Sequence, residues 1–151
     1  MSKGFVNQEN THSRPDGAYG EVIRKIATDG VCPFCREHLT EYHKHPLDER
    51  KFWWVTDNMW PYKPSLQHKL VIHKEHVSHV NELSNDAWVE LLEIQKELSA
   101  KLNIVGGTLV MRFGETHFTG ASVSHLHTNL VQSDPEDPSY DPKKGLVTRI
   151  G

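Results

Sequence analysis

The chain has little cysteine, no long apolar run and no excess of positive charge, and each shortage argues against a class of protein. Only 2 of its 151 residues are cysteine, which argues against a disulfide scaffold. No apolar stretch approaches membrane-spanning length, and the first twenty residues lack the apolar core of a signal peptide. Lysine and arginine total 17 against 20 acidic residues, so charge gives no general case for binding nucleic acid or a membrane. We therefore expect a single domain in the reducing cytoplasm.

Histidine is abundant instead, with 11 residues in the chain. Two of them lie in the segment 120–131, which alternates polar and apolar residues with the two-residue period of a β-strand. His125, His127 and Asn129 therefore project from one face of the predicted strand. Two imidazoles and an amide in a row after a Gly/Ser turn indicate a strand face that carries chemical function. The alternative is a solvated strand face in a histidine-rich chain.

The remaining pattern predicts an α+β domain with an antiparallel sheet. The predicted elements are a short helix over 18–29, a loop or knuckle over 31–45, strands over 52–56 and 69–73, a long helix over 85–102, a strand over 108–113, a loop over 114–120 and an edge strand over 145–150. The polar residues 1–17 are predicted to form a flexible arm, and the proline-containing residues 133–151 an extended tail. The domain itself is predicted to span 18–132.

Three ordered motifs resemble those of the histidine-triad (HIT) superfamily. The segment 120–129 (Gly-Ala-Ser-Val-Ser-His-Leu-His-Thr-Asn) is similar to the active-site strand of that family, whose pattern is His-φ-His-φ-His. Upstream, 67–77 (Gln-His-Lys-Leu-Val-Ile-His-Lys-Glu-His-Val) resembles the second family signature, and 58–61 (Asn-Met-Trp-Pro) precedes it at the usual distance. The resemblance covers roughly 32–132. It implies a HIT-like fold, with an antiparallel sheet of about five strands, one long helix and a shorter N-terminal helix.

The resemblance implies a nucleotide hydrolase or nucleotidyltransferase that acts at the α-phosphate. His127, the middle residue of the row, would be the nucleophile and form a nucleotidyl-histidine, which divides one difficult displacement into two easier ones. A backbone carbonyl of the same strand would hold the imidazole tautomer. Ser122 matches a serine that contacts the phosphate or the departing oxygen, and ordinary turn chemistry is its alternative.

The sequence gives less specific signals for the residues that would bind the nucleoside. Asn58 is the candidate for the ribose hydroxyls, because an amide both donates and accepts hydrogen bonds; its alternative is a turn residue. The candidates for stacking the base are aromatic, and their alternative is core packing. They are Trp54, Trp60 and Tyr62.

Two positions depart from the family pattern. Asn129 stands where most members have a third histidine, and an amide can bind a phosphate oxygen but cannot protonate a leaving group. The galactose-1-phosphate uridylyltransferase branch resembles this arrangement, with glutamine at that place. Ala121 replaces a glutamine that many members use near the phosphates. We therefore expect a good leaving group or transfer to an acceptor, and the alternative function is a zinc-stabilised nucleotide-binding module with little or no catalysis.

The pair Cys32-Pro-Phe-Cys35 is the second chemical signal. Two thiolates two residues apart hold one edge of a tetrahedral zinc ion and need two further ligands. Zinc-containing HIT branches take these ligands from the histidine after the second signature and from the first histidine of the active-site strand. The resemblance thus assigns His76 and His125 to a structural zinc.

Other interpretations of the cysteines remain open. A local knuckle would join them to His43 and His45 and use no active-site residue. A redox site is the third interpretation, since C-P-F-C resembles glutaredoxin-like sites, although these require a βαβ context. A zinc-knuckle binder of nucleic acid is disfavoured because the chain is not basic. The family resemblance also implies a homodimer whose sheets join across the two-fold axis.

Overall fold

The structure is a computed structural model that describes residues 4–11 and 17–151. Its helices α1 to α4 occupy Ala18–Asp29, Arg36–Tyr42, Asn85–Lys101 and Thr116–Thr119. Its strands β1 to β5 occupy Asp48–Glu49, Trp53–Asp57, Ser65–His73, Thr108–Arg112 and His127–Ser133. The strands form an antiparallel sheet in the order β1-β2-β3-β5-β4. The predicted α+β class and five-stranded sheet are therefore confirmed. Within the described ranges, no helix is long and apolar enough to cross a membrane.

The long helix α3 covers the sheet and forms the main core with it. The Ser84 side chain caps the helix by accepting a hydrogen bond from the Ala87 N–H at 3.1 Å. Leu91, Ile94 and Leu98 recur at helical spacing and are buried against the sheet. The Trp53 indole of β2 donates to the Ala87 carbonyl at 2.8 Å, which ties the helix to the sheet.

Helix α1 coincides with its prediction because its signals are local. Gly30 ends the helix with φ of 68°, in the left-handed region that favours glycine, and its N–H donates to the Ile26 carbonyl at 3.0 Å. Ile23 and Ile26 are buried against Val123, which lies in the segment just before β5. The helix is thereby placed beside the row of histidines.

Two predictions of irregular structure are wrong. The segment 31–45 contains the helix α2, which begins after Cys35 and buries Leu39. One apolar side chain in seven residues gives no helical period, so sequence reasoning could not detect it. The predicted loop over 114–120 likewise contains the single helical turn α4, which Gly120 ends.

The predicted strands differ from the observed ones at their ends. The strand β3 begins at Ser65, before the start predicted at residue 69, because Ser65 pairs with Ser133. The strand β5 begins only at His127, so His125 lies before it. The predicted edge strand over 145–150 is wrong, since these residues form no strand; there Thr148 and the Arg149 carbonyl bind the Arg112 side chain instead.

The described part of the predicted flexible arm is attached to the domain. Val6 forms an antiparallel bridge with Val123. The Asn7 N–H donates to the Ser122 carbonyl at 2.8 Å, and the Ser124 N–H donates to the Phe5 carbonyl at 2.8 Å. Residues 4–11 thus lie along the segment that leads into β5. The rest of the predicted arm, residues 1–3 and 12–16, lies outside the described residues.

Candidate active site and metal centre

A cleft lies beside the N-terminal end of β5 and holds about 820 Å³ of space, counting its open mouth. The predicted catalytic and substrate-binding residues all line it, and these are Asn58, Ser122, His127 and Asn129. One wall is apolar and comes largely from α1, with Val22, Ile23 and Ile26. The cleft therefore combines an apolar wall with a few convergent polar groups, as small-molecule sites do.

His127 is held in one tautomer by its own backbone. Its Nδ1 lies 2.7 Å from the carbonyl oxygen of His125. Because a carbonyl only accepts, Nδ1 carries the proton, and Nε2 of the neutral ring keeps its lone pair. The edge of the Phe34 ring meets the imidazole at a centroid distance of 5.1 Å. The half-buried ring thus has the orientation that a nucleophile requires.

Asn129 is fixed by a histidine that sequence reasoning missed. The Tyr62 N–H donates to Nδ1 of His68 at 2.9 Å, so the proton of that imidazole is on Nε2. Nε2 lies 2.8 Å from Oδ1 of Asn129 and donates to it. The amide nitrogen Nδ2 is left as the donor of Asn129, with the Val110 carbonyl at 3.5 Å. The available signal was the position of His68 within the motif 67–77.

Asn58 takes part in the same network and also shapes the local turn. Its Oδ1 accepts from the Trp60 N–H at 2.7 Å, two residues ahead, as in an Asx-turn. Its Nδ2 lies 3.3 Å from Oδ1 of Asn129. The turn interpretation thus accounts for one hydrogen bond of Asn58. Its amide has a second N–H hydrogen and a second lone pair on Oδ1, which are the kinds of group that bind a ribose diol.

The three candidate aromatic residues separate into two environments. Trp60 and Tyr62 line the cleft. Trp54 is buried instead in a cluster with Leu39 and Ile72 and does not line the cleft. Two of the three candidates thus lie in the lining of the cleft, and Trp54 belongs to the core.

Ser122 pairs with a second residue that sequence reasoning missed. The hydroxyls of Ser122 and Tyr19 form a short hydrogen bond, and both residues line the cleft. Tyr19 lies four and seven residues before the buried Ile23 and Ile26, so it continues the inner face of α1. That spacing was the signal that could have identified it. Ala121 is buried next to Ser122 and brings no polar side chain to the cleft.

Arg112 anchors the C-terminal tail at the rim of the cleft. Its Nη1 donates to the Tyr62 hydroxyl at 3.1 Å, and its Nε donates to the Thr119 carbonyl at 2.9 Å. Its Nη2 donates to Thr148 Oγ1 and to the Arg149 carbonyl, each at 2.8 Å. Sequence reasoning gave this arginine no role, because its partners come from distant parts of the chain.

The four predicted zinc ligands come together behind His127. One donor atom from each of Cys32, Cys35, His76 and His125 lies within 4.8 Å of all the others. Nδ1 of His125 is 3.3 Å from Sγ of Cys32 and 3.8 Å from Sγ of Cys35, and Nδ1 of His76 is 3.4 Å from Sγ of Cys35. Ligands of a tetrahedral zinc ion are separated by about 3.3–3.8 Å. The geometry and the donor types therefore fit this metal.

The surroundings of these ligands agree with a metal better than with redox chemistry. Nε2 of His125 donates to the His73 carbonyl at 2.7 Å, which turns Nδ1 towards the thiols. Burial lowers the pKa of His125 to about 3, so the ring is neutral and able to ligate. Burial raises the pKa of Cys35 to about 12 and also raises that of Cys32. Redox-active cysteines have lowered pKa values, and these two thiols have raised ones. A bound cation would have to displace the thiol protons.

The competing local ligand set is not assembled. Nε2 of His43 lies 2.7 Å from Thr56 Oγ1 and belongs to a hydrogen bond inside the fold. Among the residues that the structure describes, the metal-compatible group that contains the two cysteines includes neither His43 nor His45.

Comparison with known proteins adds fold-level information. No protein-family model matches the chain, and no curated protein does. Among solved structures, a histidine triad nucleotide-binding protein from Candida albicans is 18% identical, with a TM-score of 0.60 over 80% of this chain and 83% of its own. A zinc-bound histidine triad family protein from Mycobacterium smegmatis is 18% identical, with a TM-score of 0.54 over 74% of this chain and 83% of its own. A HIT family hydrolase from Legionella pneumophila is 24% identical, with a TM-score of 0.51 over 72% of this chain and 98% of its own.

These neighbours share the sheet and the helices described above and are all histidine-triad proteins. The expectation that the motifs raised is therefore confirmed at the level of the fold. The chain has the fold of the histidine-triad proteins.

Proposed function

We propose that the protein is a nucleotide hydrolase or nucleotidyltransferase that acts at the α-phosphate through a covalent nucleotidyl-histidine on His127. The observation that carries this proposal is the 2.7 Å contact between Nδ1 of His127 and the His125 carbonyl. It leaves Nε2 of the neutral ring as an unprotonated nucleophile in the cleft. The structural neighbours named as hydrolases and nucleotide-binding proteins support the same class.

The reaction follows from this geometry in two displacements. Nε2 of His127 attacks the α-phosphorus, a P–N bond forms, and the electron pair of the breaking P–O bond leaves with the departing oxygen. The ring becomes cationic and keeps its Nδ1 proton, and the hydrogen bond that Nδ1 donates to the His125 carbonyl stabilises that charge. Water or an acceptor hydroxyl then attacks the phosphorus and a P–O bond forms. The attacking group releases its proton to solvent, and the P–N electron pair returns to Nε2.

Substrate binding is assigned to the remaining groups of the cleft. His68 and Asn58 hold Oδ1 of Asn129, so its Nδ2 is the group that would donate to a phosphate oxygen. Ser122 would contact the phosphate or the departing oxygen. The apolar wall from α1, with Trp60 and Tyr62, would enclose the base.

Zinc is proposed as a structural ion held by Cys32, Cys35, His76 and His125. When bound, it would supply a fixed cross-link between three distant segments of the chain. The Phe34 ring, from between the two cysteines, lies against both His125 and His127 at centroid distances of 6.0 and 5.1 Å. Fixing the cysteines therefore positions the ring that packs on the nucleophile.

Trapping of the intermediate tests the proposal. The protein is incubated with a panel of mono- and dinucleotide substrates, and its intact mass is recorded under alkaline conditions, because phosphoramidates are acid-labile. We expect the wild type to gain the mass of one nucleotidyl group and His127→Ala to gain none. The exposed His117 provides the control, and His117→Ala is expected to form the adduct. An adduct in His127→Ala would contradict the assignment of the nucleophile.

A second function is favoured by one observation, the amide at position 129. The protein would then be a zinc-stabilised nucleotide-binding module with little or no catalysis. This alternative predicts saturable nucleotide binding, measured by calorimetry, with no turnover and no adduct. Gain of activity in Asn129→His would support it further.

We also propose a homodimer through the outer edge of β4. This strand is the last in the sheet order and has its outer side unpaired among the described residues. Apolar side chains are exposed on β4 and on α3, namely Leu109, Val89 and Leu92. A second copy would cover them and pair with the strand edge.

A further inference from the structure

Among the residues that the structure describes, no carboxyl group lines the cleft in which the nucleotidyl-histidine would form. The amide of Asn129 carries no titratable proton. Burial lowers the pKa of His43 to about 4, so that ring is neutral, and its Nε2 lies against Thr56. The Arg112 guanidinium donates to Tyr62, to the Thr119 carbonyl and to the C-terminal tail. A departing alkoxide would therefore need a proton from another group.

The hydroxyl pair of Tyr19 and Ser122 lies in the same cleft as His127. Its geometry is built by packing, since Ile23 and Ile26 of α1 pack on Val123, the residue after Ser122. The Tyr19 ring also meets Trp60 at a centroid distance of 6.1 Å. The phenol is thus directed at Ser122 by the helix that carries it.

We propose that Tyr19 supplies a proton, through Ser122, to the oxygen of a poor leaving group, so that the enzyme cleaves alkyl esters of nucleoside 5′-phosphates. This inference rests on the proposed function of His127 and extends it to a substrate class. A phenol is a stronger acid than an alcohol, so its hydroxyl can protonate a departing alkoxide. Phosphate or nitrophenolate leaving groups are weaker bases and need no such proton.

The proton and electron balance closes over the two displacements. As the P–O bond breaks, the leaving oxygen keeps the electron pair and takes the Ser122 proton, and Ser122 takes the proton of Tyr19. The products of this step are the alcohol, the nucleotidyl-histidine and a tyrosinate. In the second displacement, water gives its proton back through Ser122 to Tyr19 as its oxygen bonds to phosphorus. The P–N electron pair returns to His127, and the enzyme is restored.

Leaving-group dependence tests the proposal with two esters of one nucleoside 5′-phosphate, the 4-nitrophenyl ester and a simple alkyl ester. Tyr19→Phe keeps the ring against Trp60 and removes only the hydroxyl. We expect this variant to lose about 10²–10³-fold in kcat on the alkyl ester, with KM unchanged. On the 4-nitrophenyl ester it should lose less than about threefold. Ser122→Ala should lose more on the alkyl ester than on the 4-nitrophenyl ester. The double variant should lose no more than the weaker single variant on the alkyl ester.

Tyr140 lies outside the cleft, and Tyr140→Phe is the matched control, with no expected change on either ester. An equal loss on both esters in Tyr19→Phe would show a merely structural role and contradict the proposal. Turnover of the 4-nitrophenyl ester but not the alkyl ester by the wild type would also contradict it, while leaving the proposed function intact. Failure of the wild type on both esters, with no adduct, would instead contradict the proposed function itself.

Discussion

At the scale of the residue, the site depends on which atom of each ring carries the proton. Carbonyl oxygens fix this for His127 and His125, and a backbone N–H fixes it for His68. The face that holds His127 and Asn129 could be predicted from sequence, because the period of a strand is local. The partners His68 and Tyr19 were missed although a local pattern marked each of them, because their contacts with Asn129 and Ser122 form only when distant segments come together.

Removal of His68 should destabilise the fold and misplace Asn129. In His68→Leu the Tyr62 N–H loses its acceptor, and Oδ1 of Asn129 keeps only the longer contact with Nδ2 of Asn58, both inside a buried region. We expect a loss of about 2–3 kcal/mol in the free energy of unfolding, measured by urea titration. The exposed His117→Leu, as control, should change it by less than about 0.5 kcal/mol. An unchanged stability in His68→Leu would show that this network contributes nothing.

The burial of His43 should make stability depend on pH. Its folded pKa is lowered by burial from 6.5 to about 4, so the unfolded chain binds the proton more readily. The contribution of the neutral His43 ring to the free energy of unfolding is complete above pH 6.5. It is lost as the pH falls towards 4. The free energy of unfolding of the wild type should fall over this pH window, and His43 should account for at most about 3 kcal/mol of that fall. We expect a smaller fall in His43→Gln. Identical pH profiles for both proteins would contradict this.

At the scale of the element, the predictions succeeded where the signal was local and long. The helix α1 has its glycine stop, and α3 has its serine cap and apolar stripe. The two-residue strand β1 and the short helix α2 carry no period that could be recognised. The tail residues Thr148 and Arg149 bind a side chain rather than a strand edge, which only the folded chain determines.

The metal centre links elements that are far apart in the chain, so its ligands should be separable by mutation. We expect His125→Ala and Cys32→Ser to lose most bound zinc in elemental analysis, because each removes one of four ligands. His43→Ala should retain about one zinc per chain, since that ring binds Thr56. Retained zinc in His125→Ala together with lost zinc in His43→Ala would favour the local knuckle.

At the scale of the whole molecule, the proposed dimer depends on the outer edge of β4, which is unpaired among the described residues. Leu109 on this strand is exposed, and a charge there would be buried without a partner in the proposed dimer. We expect Leu109→Glu to sediment as a monomer and the wild type as a dimer. Val147→Glu changes an exposed residue of the tail and should leave the sedimentation unchanged. A wild type that sediments as a monomer at all concentrations would contradict the dimer.

The central claim is that His127 carries the nucleotidyl group during turnover. Digestion of the trapped protein at alkaline pH, followed by peptide mass mapping, locates the modified residue directly. We predict a single nucleotidylated peptide, with fragment ions that place the group on His127. A nucleotidyl group on another residue, or none during demonstrable turnover, would contradict the account.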